Sequence, residues 1–142
     1  MFFVFGTLPV TDLPPAIADL SRSKGLSWSQ IEQLLGALRK EKPDLTIGAL
    51  QVFLHIARRV GAQERPYIKS VAEGVGMQYS STARLCDLLS DGVGSSVGLG
   101  WIAKIEDRNS RAKYLTLTNA GAYMLASVLE STAAGDPDED FD

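Results

Sequence analysis

The chain has 142 residues, of which 45% are hydrophobic and 22% charged, a length and make-up typical of one globular domain. Its single cysteine, Cys86, excludes an internal disulfide framework and a zinc site built from several cysteines. No apolar run approaches the roughly 18 residues of a membrane span, and the opening MFFVF lacks the basic start of a signal peptide. We therefore expect no leader and no membrane anchor, and a cytoplasmic protein.

Charge is unevenly distributed along the chain. The formal net charge is −3, but five of the seventeen acidic residues lie in the last seven positions. The first 135 residues therefore hold fourteen basic against twelve acidic side chains, a net charge of +2. We expect residues 131–142 to form a disordered acidic tail, which either keeps the protein in solution or competes with nucleic acid for the chain's own arginines.

The first part of the chain predicts an arm and two helices. Residues 1–13, with Phe2, Phe3 and Phe5, predict an irregular or extended arm, and Pro14 and Pro15 predict a short helix to about Lys24. Ser27 has capping-box spacing to Gln30 and predicts a helix over 28–41. Its apolar stripe comprises Trp28, Ile31, Leu34, Leu35 and Leu38. This stripe packs either into the chain's own core or against a second copy.

Three further helices are predicted in the middle of the chain. Thr46 begins a helix over about 47–60 that is apolar around most of its circumference and is therefore central to the core. Helical patterns follow over about 67–74 and 79–90, separated by the short segment GVGMQ. Ser80 or Ser81 caps or lines the start of the second of these helices.

A hairpin and a last helix complete the pattern. The segment DGVGSSVGLG, residues 91–100, predicts a flexible glycine-rich loop. WIAKIE and KYLTLT alternate apolar with polar residues and predict a β-hairpin of Trp101–Glu106 with Lys113–Thr116, joined by a basic turn. Thr118 or Asn119 then caps a helix to about Leu129.

Two segments of this pattern resemble a known family. VAEGVGMQYSSTARLCDLL is similar to the second and recognition helices of the MarR family of winged helix-turn-helix transcriptional regulators, and GWIAKIEDRNSRAKYLTLTNAG is similar to the wing of that family. The resemblance covers about residues 45–125. It implies a mainly α fold with a small β-hairpin, a winged helix-turn-helix with extra N-terminal helices. We expect an arm and short helix over 1–26 and the winged domain with flanking helices over 27–130, with the wing at about 101–116.

The resemblance also implies a set of DNA-binding residues. On the recognition helix these are Gln78, Tyr79, Ser80, Ser81 and Arg84, and in the wing they are Arg108, Arg111 and Lys113. Asp107 matches the acid that braces the wing arginine in the family. The chain departs from the family in having Ser110 before Arg111, a longer link before the wing and a single short helix after it. The alternative reading of these residues is a capped helix start and solvated surface charges.

The resemblance predicts a regulator that binds double-stranded DNA as a homodimer in the nucleoid, with repression by occlusion as the default. A small-molecule effector, if one exists, would occupy a cleft lined by residues such as Trp28, Leu35 and Phe53. The rival hypothesis is a winged-helix protein-interaction module that binds polymerase or replication machinery, which the low overall basicity favours.

The sequence gives little support to an enzyme. His55 is the only histidine, and no acid or nucleophile is placed beside it by local spacing. The glycines of residues 91–100 lack the lysine of a phosphate-binding loop. Cys86 is more typical of a small core residue than of a redox sensor. We therefore expect no catalytic residue, no metal and no cofactor.

Overall fold

The computed structural model describes residues 9–22 and 25–135, and within them the chain forms six helices and two small antiparallel sheets. The helices are α1 (Pro15–Arg22), α2 (Trp28–Glu41), α3 (Ile47–Gly61), α4 (Ile68–Val75), α5 (Tyr79–Leu89) and α6 (Asn119–Gly135). The strands are β1 (Gly92–Val93), β2 (Ser96–Val97), β3 (Ile102–Glu106) and β4 (Lys113–Leu117). The prediction of a mainly helical fold with a small antiparallel sheet is confirmed. The aromatic cluster of residues 1–8 and the acidic residues 136–142 lie outside the described residues.

Local capping signals explain where two of the helices begin. The Ser27 hydroxyl accepts a hydrogen bond from the Gln30 amide at 3.2 Å, and the Gln30 side chain accepts one from the Ser27 amide at 2.9 Å. This reciprocal pair satisfies two amides that have no partner in the first turn of a helix, so the predicted capping box of α2 is confirmed. Thr46 caps α3 with its side chain alone, accepting from the Ala49 amide at 3.1 Å.

Helix α3 lies at the centre of the core, as its sequence predicts. Val52, Phe53 and Ile56 are fully buried, because α3 packs against α1, α4, α5 and β4. The Phe53 ring lies 5.0 Å from the ring of Trp101, measured between centroids. Helix α6 packs on α1 and α2, so α3 and α6 join the N-terminal helices to the rest of the chain.

The predicted hairpin is confirmed, and the structure supplies its register. Ile102 pairs with Leu117 at its base and Glu106 pairs with Lys113 near its tip. The segment before α4 joins this sheet, since the Leu115 amide donates to the Pro66 carbonyl at 2.7 Å and Tyr67 forms a β-bridge with Tyr114. The loop between α3 and α4 is thereby fixed to β4.

The glycine-rich segment differs from the prediction of a flexible loop. Residues 92–97 form a two-stranded ribbon in which Gly92 pairs with Val97 and Val93 with Ser96. The segment that follows it, residues 98–101, donates amide hydrogen bonds to the last carbonyls of α5: Leu99 to Leu88 at 2.8 Å and Trp101 to Leu89 at 2.8 Å. The segment is ordered because it satisfies the end of a helix.

Helix α6 is longer than the sequence pattern indicates. Thr118 caps it, accepting from the Gly121 amide at 3.0 Å, but the helix continues to Gly135 instead of ending at about Leu129. The predicted start of the tail at residue 131 is therefore too early, because residues 130–134 contain no helix-breaking residue.

Among the described residues no helix, including the 17 residues of α6, is long and apolar enough to cross a bilayer.

Candidate functional site

Helices α4 and α5 are joined by a tight turn that aims the start of α5 at solvent. Gly76 ends α4 in the left-handed conformation, with φ of 74°, which glycine adopts without steric cost. The Met77 amide closes the turn by donating to the Ala72 carbonyl at 2.9 Å. Gln78 is the residue before the first turn of α5, and its side chain makes no capping hydrogen bond. Of the two predicted roles for Ser80 and Ser81, capping α5 or lining its start, the structure shows the second, because both residues lie in the first turn of the helix.

The residues predicted on α5 are all exposed, and Ser80, Ser81 and Arg84 share one face of the helix. Gln78, Ser80, Ser81 and Arg84 are exposed, and Tyr79 is 57% exposed. The opposite face holds Thr82, Cys86 and Leu89, which are buried against the core. Short side chains on the outer face leave the backbone of α5 open to close approach by a partner.

The tip of the hairpin is a hydrogen-bonded turn that carries cations. The Asp107 carboxylate accepts from the Asn109 amide at 2.9 Å, and the Ser110 hydroxyl accepts from the Ala112 amide at 3.1 Å. These bonds fold residues 107–112 into a defined turn. Arg108 and Arg111 belong to this turn, Lys113 follows it as the first residue of β4, and all three side chains are exposed.

Asp107 braces the hairpin, but through a different partner from the one expected. Its carboxylate accepts a hydrogen bond from the hydroxyl of Tyr67, at the start of α4, and not from Arg111. The Tyr67 hydroxyl and the Asn109 amide hold the pKa of Asp107 below its usual value, and the same bond raises the pKa of Tyr67. The expected brace of the wing arginine is therefore replaced by a tether between hairpin tip and α4.

A second polar tether joins the hairpin to α5. Lys104, on β3, forms an ion pair with Asp87, on α5, and both side chains are about one-third exposed. The Thr118 hydroxyl also donates to the Gly100 carbonyl at 2.5 Å, which ties the end of β4 to the segment after α5. The hairpin is thus fixed relative to α5 at its base and relative to α4 at its tip.

These tethers form a cleft between the two helices and the hairpin. Its volume is about 320 Å³, and its aromatic and charged lining residues are Tyr67, Lys69, Tyr79, Arg111 and Lys113. Tyr79, Arg111 and Lys113 were predicted as site residues, and the structure brings them together. The lining of this cleft does not include Gln78, Ser80, Ser81, Arg84 or Arg108.

Sequence reasoning missed Tyr67 and Lys69. Lys69 lies in the first turn of α4, where an exposed lysine has no distinguishing pattern, and Tyr67 precedes that helix. Their place in the cleft follows from the pairing of residues 66–67 with β4, a contact between segments 47 or more residues apart in sequence. The one local signal is the aromatic residue directly before a helix start.

A larger cavity lies among α1, α3, α4 and α6. Its volume is about 360 Å³. Its wall is mostly apolar, with Gln51, His55 and Arg58 as the polar residues of α3 that reach it. Trp28, Leu35 and Phe53, which were expected to line an effector cleft, are not among the residues that line this cavity: Phe53 is fully buried, and Trp28 and Leu35 are 90% and 45% exposed. The lining residues are instead Ile17, Leu26, Leu34, Leu54, Val75 and Leu125.

His55 lies at the edge of this cavity between two arginines. Its ring nitrogens are 3.3 Å from Arg58 Nη2 and 3.4 Å from Arg59 Nη1. Burial and the two positive charges lower the pKa of His55, so the imidazole is neutral near neutral pH. Arg59 is itself paired with Glu64.

Cys86 is buried on the inner face of α5, and burial raises the pKa of its thiol to about 11. A protonated, buried thiol is a poor nucleophile. Among the described residues, histidine, cysteine and acidic side chains do not gather in groups of three that could hold a metal ion.

Comparisons with models of protein families, with curated proteins and with solved structures each found no match. The candidate site is therefore defined by its own residues. It consists of the exposed face of α5, the cationic tip of the hairpin and the cleft between them.

Proposed function

We propose that this protein binds double-stranded DNA and regulates transcription, with α5 as the recognition helix and the β3–β4 hairpin as the wing of a MarR-like winged helix-turn-helix. The observation that carries the proposal is the cleft in which Lys69, Arg111 and Lys113 meet beside the start of α5. Three cations around one cleft suit an anionic partner, and the phosphate backbone supplies most of the affinity of DNA-binding proteins.

The exposed face of α5 suits the major groove. Ser80 and Ser81 are short enough to let the helix backbone approach the base edges, and Arg84, one turn further on, is long enough to reach a guanine or a phosphate. These three side chains are exposed on the same face. Buried Thr82 and Cys86 hold the opposite face to the core.

The hairpin suits the neighbouring minor groove and backbone. Arg111 is exposed at the tip, where a guanidinium can enter the negative potential of a narrow minor groove. Arg108 and Lys113 flank it and would contact phosphates. The tethers of Asp107 to Tyr67 and of Lys104 to Asp87 hold the hairpin in place before DNA binds, which lowers the entropic cost of binding.

A homodimer on an inverted repeat, repressing by occlusion, is the arrangement that we propose for two such domains. The cavity of about 360 Å³ supplies a place for a small-molecule effector. Gly74 and Val75 of α4 belong to its lining, so an occupant would contact the helix that positions α5. Catalysis forms no part of the proposed function.

Fluorescence anisotropy with labelled duplexes tests this function. Fragments from upstream of the protein's own gene and a scrambled control are compared at low and near-physiological salt. We expect one fragment to bind tightly at both salt concentrations, and Arg111→Ala to weaken that binding by about 1–3 kcal/mol. Lys40→Ala removes an exposed cation from α2, away from the site, and is the matched control. Equal, weak and salt-sensitive binding to both fragments would refute a sequence-specific regulator.

A winged-helix protein-interaction module is the second candidate. The net charge of −3 and the 86% exposed Val97 on the ribbon after α5 favour it, because protein interfaces are less basic than nucleic-acid interfaces and contain apolar residues. Salt separates the two candidates: affinity for DNA falls steeply with ionic strength through counterion release, whereas affinity for a protein partner need not.

A further inference from the structure

Helix α2 carries an apolar stripe that the described residues, 9–22 and 25–135, leave exposed. Trp28 is 90% exposed, Leu35 45% and Ile31 39%. Their spacing of three and four residues places them on one side of the helix, along about 10 Å of its axis. Trp28 alone presents on the order of 200 Å² of mostly apolar surface to water. Leu34 and Leu38, on the neighbouring side, are buried, so the predicted stripe is divided between core and surface.

The charges beside this stripe are arranged so that it can pair with itself. Glu32 and Arg39 are both exposed and border the stripe on the same side, because residues seven apart on a helix differ by only about 20° in direction. If a second α2 lies antiparallel, with a two-fold axis between residues 35 and 36, Glu32 of each copy lies opposite Arg39 of the other. A parallel pair would instead put like charges at the same level.

We propose that the α2 stripe is the surface through which two copies of this chain associate, with the α2 helices antiparallel and Glu32 of each copy paired with Arg39 of the other. Leu35 lies next to the two-fold axis, and Trp28 of each copy lies level with Pro43 of the other, just past the end of the partner's α2. The interface is isologous, as in most homodimers. It supplies the dimer that the proposed DNA-binding function uses.

The size of the stripe sets the strength of the association. A standard interface buries about 800 Å² on each partner, and one face of a 14-residue helix offers less. We therefore expect a reversible dimer that forms at micromolar concentration. Its formation transfers Trp28 from water to an apolar surface, while Trp101, 8% exposed, is buried in both states.

Sedimentation velocity of the full chain without DNA, over a range of concentrations, tests the proposal by charge reversal. Glu32→Arg and Arg39→Glu are each expected to give a monomer. In a dimer of either variant, both pairs of residues 32 and 39 would consist of like charges. The double variant restores both pairs and is expected to dimerise. An equimolar mixture of the two single variants is also expected to dimerise, since each then finds the complementary charge in the other.

Several outcomes overturn the proposal. They are a monomer at every concentration, a dimer that neither single reversal weakens, and single variants that dissociate without recovery in the double variant or in the mixture. A Trp28 emission maximum that does not shift to shorter wavelength with concentration also overturns it. Because DNA is absent, loss of the dimer and loss of DNA binding are measured separately, so either proposal can fail alone.

Discussion

The helical region (α1, α2, α3 and α6) and the hairpin region (α4, α5 and β3–β4) are held together by different forces. The helical region depends on apolar packing around residues such as Phe53, Leu38 and Leu125, all at most 2% exposed. The outer part of the hairpin depends on directional polar contacts, Tyr67 with Asp107 and Lys104 with Asp87. A thin hairpin has too little apolar area to fix its tip, so hydrogen bonds and an ion pair fix it instead.

The difference has a functional consequence. The centre of an apolar core does not accommodate a charged side chain. The helical region accordingly has exposed apolar side chains on α2 and a mostly apolar cavity. Polar tethers can lie at the surface beside free cations, so the hairpin region presents Arg108, Arg111 and Lys113 in a fixed arrangement. In the functions proposed above, the helical region would serve association and small ligands, and the hairpin region would serve an anionic partner.

A substitution at the junction of the two regions should have the largest effect on the stability of the fold. A Cβ at Gly121, in the first turn of α6, would overlap the carbonyl oxygen of Trp101, which accepts a hydrogen bond from the Thr118 amide at 3.0 Å. Gly121→Ala is therefore expected to lower the free energy of unfolding by about 1–3 kcal/mol, measured by urea denaturation. At Gly48, in α3, a Cβ would make ordinary contacts of 3.6 Å and 3.7 Å. Gly48→Ala is the matched control and should change stability by no more than about 1 kcal/mol in the favourable direction.

Removal of the tether at the hairpin tip should have an intermediate effect, which is confined to the hairpin region and leaves the overall stability nearly unchanged. Tyr67→Phe removes the hydroxyl that donates to Asp107. We expect the pKa of Asp107 to rise toward its ordinary value, which an NMR titration of the carboxyl carbon measures, and DNA affinity to fall several-fold while the melting temperature changes little. Tyr123→Phe, on the 69% exposed tyrosine of α6, is the control. An unchanged Asp107 titration would contradict the tether.

The smallest effect should be a pH dependence in the helical region. The pKa of His55 in the folded chain is below 6.5, the value taken for an unperturbed histidine, so the unfolded chain binds the proton more tightly. The contribution of neutral His55 to the free energy of unfolding is complete above pH 6.5 and is lost as the pH falls through the lower pKa of the folded state. Melting temperatures of the parent protein should fall on mild acidification more than those of His55→Gln. Parallel curves for the two proteins would argue against this contribution.

Much of the fold could be predicted because the signals are local. The capping residues Ser27 and Thr46, the apolar circumference of α3 and the alternation in β3 and β4 each act within a few residues. The exposed face of α5 was predictable for the same reason, since buried and exposed positions follow the period of the helix. The end of α6 was predicted too early, at about Leu129. The helix continues to Gly135 because no strong stop signal lies between these positions.

The rest of the site depends on contacts between distant segments. Tyr67 reaches Asp107 across 40 residues, and Lys104 reaches Asp87 across 17. The order of the glycine-rich segment depends on free carbonyls at the end of α5, which its own composition does not reveal. Periodicity cannot predict such contacts, because it reports which way a side chain faces and not what it meets.

The sequence by itself determined which residues are helical, which alternate as strands and which cations are exposed, because these properties follow from backbone geometry over one or two turns. Only the tertiary structure decided that α2 divides its apolar stripe between core and surface, that the cavity is lined by Ile17, Leu54 and Val75, and that Lys69 joins Arg111 in one cleft. The physical reason is that packing depends on the relative placement of whole elements, which the loops and the polar tethers set together.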